Sequence, residues 1–137
     1  VFEKNIKSLP GVAGVSNHMG SRFSSNERAM ENLLRLVKKH NLFYFDSYTI
    51  QNSKARTVGK KLGMNVLRNS VFLDGKNEYD YITNQFKKLL KRAKSNKYTV
   101  AIGHIQNAEN FIPAARDFIE NFKKEDIELV YLTELYE

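Results

Sequence analysis

The sequence predicts an α/β fold, a mostly parallel five-stranded sheet built from βα repeats, and three observations carry that prediction. Five short apolar runs, at 12–18, 42–46, 71–74, 98–104 and 127–132, are spread along the 137 residues. Four of them close on a polar group, His18, Asp46, Asp74 and His104, and these lie 28, 28 and 30 residues apart. A strand, a helix and their two loops take about 30 residues. The segments between the runs also carry the caps and the 3.6-residue periodicity of amphipathic helices. Parallel strands would deliver all four polar side chains to one sheet edge, at the carboxyl ends of the strands, where α/β proteins usually place their chemistry.

Each helix has its own marks. Ser24 and Glu27 have capping-box spacing, and Met30, Leu33, Leu34 and Val37 form one buried stripe in a helix that ends near His40 and Asn41. Ser53 caps a shorter helix carrying Ala55, Val58 and Leu62, with Gly63 where a left-handed residue closes the last turn. A third helix is expected from about Asn77 to Ser95, turning Ile82, Phe86, Leu89, Leu90 and Ala93 inward. For the fourth, Asn110 as cap puts Pro113 in the first turn, and Phe111, Ala115, Phe118, Ile119 and Phe122 form the stripe. The strand runs are apolar at successive positions, the pattern of strands covered on both faces.

Composition narrows the function classes. The length fits one domain, residues 1–137, and is short for a closed eight-stranded barrel, which needs roughly 200 residues. Hydrophobic residues make up 42% and aromatics 12%, as in a folded globule. No apolar run approaches the roughly 20 residues that cross a bilayer. Absence of cysteine excludes disulfides, thiolate metal sites and a cysteine nucleophile. The net charge of +7 gathers in pairs such as Lys38-Lys39, Lys60-Lys61 and Lys123-Lys124 near helix ends, where cations complement the helix dipole. A solvated helical face therefore explains the charge, and no phosphate loop, zinc finger or RNA-binding signature accompanies it. The chain opens on Val1 rather than on an initiator methionine, so an upstream segment is expected.

Among residues suited to chemistry, His18 sits in Gly14-Val-Ser-Asn-His-Met-Gly-Ser-Arg-Phe23 at a strand-to-helix turn. It either faces a cleft or hydrogen-bonds its own loop. His104 is either a pocket acid, base or ligand, or a strand-end histidine satisfied by backbone. Asp46-Ser47 and Asp74-Gly75 read singly as turn formers. His40 ends a basic helix and belongs to the surface. A histidine and carboxylate cluster without cysteine suits zinc or another divalent ion that activates water.

In order and spacing, Asn17-His-Met-Gly-Ser21, Phe45-Asp-Ser47 with Thr49 and Ser53, Val71-Phe-Leu-Asp74 and Ala101-Ile-Gly-His104 resemble the divergent polysaccharide deacetylases. These are distant relatives of the chitooligosaccharide and peptidoglycan deacetylases. The resemblance implies a partial, distorted (β/α) barrel with a divalent metal, zinc by expectation, and hydrolysis of acetamide groups on cell-envelope glycan. It implies His18 and Asp46 at the metal, His104 as general acid oriented by Asp74, and Asn17, Ser21, Arg22 and Ser47 at the substrate mouth. The family's Asp-Asp pair, which supplies a metal ligand and the base, has no counterpart here, since the chain contains no adjacent aspartates. Arg22 stands where better-known deacetylases carry a second metal histidine, and Ile105 replaces the proline after the late histidine. The chain thus reads as the C-terminal part of such a barrel, with the base's role vacant unless Asp46 or Asp74 fills it. The sheet would be open on the side of the missing strands, to be covered by the absent segment, a loop or a second copy in a homodimer. A secretion signal upstream would place the protein in the periplasm, the cell envelope or outside the cell. A non-catalytic glycan-binding or interaction protein on the same fold is the alternative. A basic nucleic-acid-binding domain is a third reading, motivated by charge alone.

Overall fold

The structure, a computed structural model, describes residues 1–17 and 20–136. The elements in chain order are α1 (Phe2–Lys7), β1 (Gly14–Ser16), α2 (Ser21–Ser24), α3 (Glu27–Lys39), β2 (Phe43–Asp46), α4 (Ala55–Lys61) and β3 (Val66–Arg68). They continue with β4 (Val71–Phe72), α5 (Tyr79–Ser95), β5 (Ala101–Ile102), a 3₁₀ turn over Ile105–Asn107, α6 (Ala108–Lys124) and α7 (Leu132–Tyr136). They form two compact units, residues 1–68 with the C-terminal helix, and residues 69–131.

In the first unit, β1, β2 and β3 form a parallel sheet in that order, with Ser16 opposite Phe45 and Asp46 opposite Arg68. Parallel neighbours need a crossover, and α3 and α4 supply the two. Asn26, not Ser24, caps α3 by accepting the Ala29 N–H at 2.9 Å, because Ser24 already closes the short α2. Met30, Leu34 and Val37 are fully buried and pack with Leu42, Tyr44, Ala55, Val58 and Val66. Gly63 takes φ +65 after α4, as its position predicts.

The second unit pairs β4 with β5 in parallel, Val71 opposite Ala101 and Phe72 opposite Ile102. Here α5 is the crossover, and Ile82 and Phe86 of α5 pack on Ala114, Phe118 and Phe122 of α6. Phe86 and Phe118 stack with centroids 5.2 Å apart. The fourth helix starts earlier than expected, since the 3₁₀ turn runs directly into α6 and leaves Pro113 inside the helix. Ile119, assigned to the stripe, is 38% exposed, and Ala114 takes the buried place.

Parallel sheets and covering helices therefore match the predicted class, and the arrangement of the strands differs in two ways. Among the described residues the strands fall into sheets of three and two instead of one sheet of five. The run at 127–132 is not a strand: Ile127 packs on the second core, Leu129, Val130 and Tyr131 are exposed, and Leu132 opens α7. Its apolar residues have no neighbouring strand to pair with among the described residues. The fifth strand is instead β3, whose Val66 and Leu67 are too short a run to stand out beside Arg68.

Candidate functional site

Asp74 lies two residues beyond β4 and His104 two residues beyond β5, so the parallel register that pairs Phe72 with Ile102 sets them opposite each other. The Asp74 side chain is fully buried. Its Oδ2 accepts the His104 backbone N–H at 2.7 Å and the Asn107 Nδ2–H at 2.9 Å, and its Oδ1 meets His104 Nδ1 at 2.9 Å. An ionised carboxylate only accepts, so Nδ1 carries the proton and Nε2 is left to exchange one. Burial pushes the Asp74 carboxyl up, but hydrogen bonds from the His104 ring, Asn107 and the His104 backbone, with the attraction of His104, outweigh it and hold the group below its ordinary value. The His104 side chain is 39% exposed, and its ring lies parallel to Phe72 with centroids 6.5 Å apart. The arrangement is a half-open imidazole, fixed in tautomer and plane by a dry carboxylate, the geometry of a general acid or base.

Asn107 completes this group, donating also to the Asp74 carbonyl at 3.2 Å. Nothing in the sequence singled it out. It sits three residues after His104, at the N-terminal boundary of α6, where an asparagine would ordinarily cap the helix, but its side chain makes no cap bond and turns to Asp74 instead.

In the first unit the carboxyl end of β2 is tied to the loop that follows β1. The Tyr44 hydroxyl, fully buried, donates to Asn17 Oδ1, and Asn17 Nδ2 donates to Ser24 Oγ at 2.8 Å. Burial, and then the charge of Asp46, push the Tyr44 hydroxyl well above the usual phenol range, so it stays a donor. Ser47 Oγ donates to the Asn17 carbonyl at 3.2 Å. Both ends of the Asn17 amide are thereby engaged in holding the loop. Of the other expected substrate-mouth residues, Ser21 begins α2 and bonds Thr49 at 3.1 Å, and Arg22 is exposed. His18 lies outside the described residues.

Asp46 tests whether a divalent ion fits here. Its carboxylate is 1% exposed; Oδ1 accepts the Tyr48 N–H at 2.9 Å, Oδ2 accepts the Ser53 hydroxyl at 2.9 Å, and Arg68 Nε stands 3.5 Å from Oδ2. A second cation beside the Arg68 guanidinium would be repelled by it, so Asp46 does not fit the role expected of it: the guanidinium already holds the cation's place. Among the described residues no three His, Asp or Glu side chains gather to hold a metal. Each oxygen of Asp46 and of Asp74 already accepts a hydrogen bond. The structure does bring Asp74 and His104 together, as the resemblance implied, while Asp46 belongs to the first unit.

Comparison with known proteins agrees with this architecture. An uncharacterized protein, YibQ of Escherichia coli K12, is 35% identical over 105 residues, covering 76% of this chain and 33% of that protein. An uncharacterized protein of Haemophilus influenzae is 33% identical over 133 residues, covering 97% of this chain and 46% of that protein. The chain thus spans less than half the length of these relatives. The crystal structure of the uncharacterized protein ATU2773 from Agrobacterium tumefaciens C58 shares the fold at a TM-score of 0.83 and 23% identity, over 90% of this chain and 49% of that one. Residues 1–136 match the family described as divergent polysaccharide deacetylase. With that match across the whole described length, and with a histidine and aspartate facing each other beyond the ends of parallel strands, the chain belongs to the divergent polysaccharide deacetylase family.

Proposed function

We propose that this chain supplies the proton-transfer half of a glycan N-deacetylase, hydrolysing acetamide groups on cell-envelope polysaccharide. The observation that carries the reading is the Asp74–His104 pair, buried on the carboxylate side and open on the imidazole side. In amide hydrolysis the amine must be protonated as it leaves the tetrahedral intermediate. His104, charged by a proton at Nε2, would donate it there, and Asp74 would stabilise the imidazolium through Nδ1–H and keep the ring in plane. Asn107 would hold the carboxylate still while the charge on the ring comes and goes. No residue is assigned to the activation of water, and no step is assigned to a metal.

The test is acetate release from N-acetylated chitooligosaccharide and peptidoglycan fragments, by the chain alone and by the chain joined to the further length that its relatives carry. The assay runs with zinc, with cobalt and with chelator. Release that falls about 10²–10⁴-fold in His104→Ala supports the reading. No release from the longer protein under any of these conditions refutes it.

A second reading has its own observation. Because both strand-end aspartates have their oxygens engaged, a non-catalytic member of the family that binds glycan is consistent with the same geometry. Binding of these fragments without release of acetate, retained in His104→Ala, would favour it.

A further inference from the structure

Arg68 is a largely buried charged side chain of the first unit. Its guanidinium carbon lies 4.0 Å above the Tyr48 ring, and its Nε stands 3.5 Å from Asp46 Oδ2. The contact is an ion pair without a hydrogen bond, since Nε is buried with no hydrogen-bond partner. Arginine normally meets a carboxylate through two parallel N–H bonds from its fork. Here the two terminal nitrogens make no bond with Asp46 or with any other described residue, and they are not buried, so they lie in the exposed fifth of the side chain.

The surroundings fix this pose. Tyr48 takes φ +54, a conformation that is costly for an aromatic residue, and is pinned at both ends, by its N–H on Asp46 and by its hydroxyl on the Gln51 carbonyl at 3.3 Å. Asp46 is in turn held by Ser53. A stacked, charge-anchored guanidinium with an idle fork loses little side-chain freedom when an anion docks on it.

We propose that Arg68 is a recognition site for a carboxylate, and, resting on the deacetylase reading above, that the glycan this chain binds carries carboxylate-bearing N-acetyl sugars. A carboxylate matches the planar fork in shape. It also matches in charge: Asp46 already balances Arg68, so the pair favours a monoanion and disfavours a phosphate dianion.

A matched set of ligands tests this, with affinities taken from NMR titration of the chain. N-acetylmuramic acid and N-acetylglucosamine differ by one lactyl carboxylate, and N-acetylglucosamine 6-phosphate supplies the dianion. The wild type should bind the acid sugar about 10-fold or more tightly than the neutral one, the effect of one charge-assisted contact. Arg68→Lys keeps a cation beside Asp46 but removes the fork, and should lose most of that preference. The Asp46→Asn/Arg68→Gln pair removes both charges, leaves no buried carboxylate unpaired, and should abolish it. Equal affinity for the two sugars, no binding of either, or a preference that survives in both variants overturns the proposal, and tighter binding of the phosphate overturns the choice of carboxylate. The readout is independent of turnover, so a chain that releases no acetate but keeps an Arg68-dependent preference refutes only the deacetylase reading.

Discussion

Replacing Asp74 by asparagine changes one atom of the side chain and should alter both stability and the protonation of a neighbour. The buried carboxylate accepts three hydrogen bonds, at 2.7, 2.9 and 2.9 Å. Charge-assisted bonds are each worth about 1.5–3 kcal/mol and neutral ones about 0.5–1.5 kcal/mol, so removing the charge costs roughly 1 kcal/mol apiece. A neutral amide is also cheaper to bury than a carboxylate, which returns part of that sum and leaves a net loss of about 2 kcal/mol. If the amide oxygen keeps the bonds from the His104 backbone and Asn107, its NH₂ group faces His104 Nδ1. Nδ1 must then become an acceptor, and the ring proton moves to Nε2. Urea unfolding of the two proteins, with long-range ¹H–¹⁵N correlation of the His104 ring, reads both effects. The pH dependence adds a sign. Because the folded-state pKa of Asp74 is lowered, its contribution is fully present above the unfolded value near 3.8 and is lost as pH falls through the folded value beneath it. The gap between wild type and variant should therefore close in acid. A loss under about 0.5 kcal/mol, well below the cost of these bonds, or a ring that keeps its proton on Nδ1, would refute the reasoning.

Two further changes probe the scaffold of the first unit. Gly59→Ala lies inside α4, where alanine normally gains about 1 kcal/mol; here its Cβ would overlap Val66 Cγ2 and sit 3.2 Å from the Met64 carbonyl, so denaturation should show a loss of about 1–3 kcal/mol instead. Tyr44→Phe removes the donor to Asn17 and should cost about 1–2 kcal/mol, with amide exchange quickened at Ser24, whose N–H bonds the Gly20 carbonyl, if the network holds the loop as described.

The helices were legible because their evidence is local. The stripe of Met30, Leu34 and Val37 is one face of α3, and its spacing alone identifies it. The strands were less so. Residues 127–132 have the composition of a strand and pair with no strand among the described residues, whereas Val66 to Arg68 have little composition and three registered neighbours in β2. Pairing is a property of the whole chain that no window of residues contains. The same division runs through the site. Asp74 and His104 could be matched because each closes a run at the same offset, but the engagement of Asp46 depends on Ser53 and Arg68, which approach it only in the fold. Asn107 was invisible because its use of the amide competes with the capping role its position suggests.

The bond from the His104 backbone to Asp74 has a consequence beyond orientation. The strands β4 and β5 are two residues each, and the last main-chain bond between their ends is Leu73 N–H to the Ile102 carbonyl, at 2.8 Å. The next rung is provided by a side chain: the carboxylate of Asp74 receives the His104 amide where a strand would have offered a carbonyl. The sheet is therefore finished by the very group that aims the imidazole. Elsewhere in a protein, fold and chemistry can be tuned separately, by hardening the one and leaving the other alone. At this edge they are one bond, so selection acting on the orientation of the imidazole acts equally on the seam that joins the two strands.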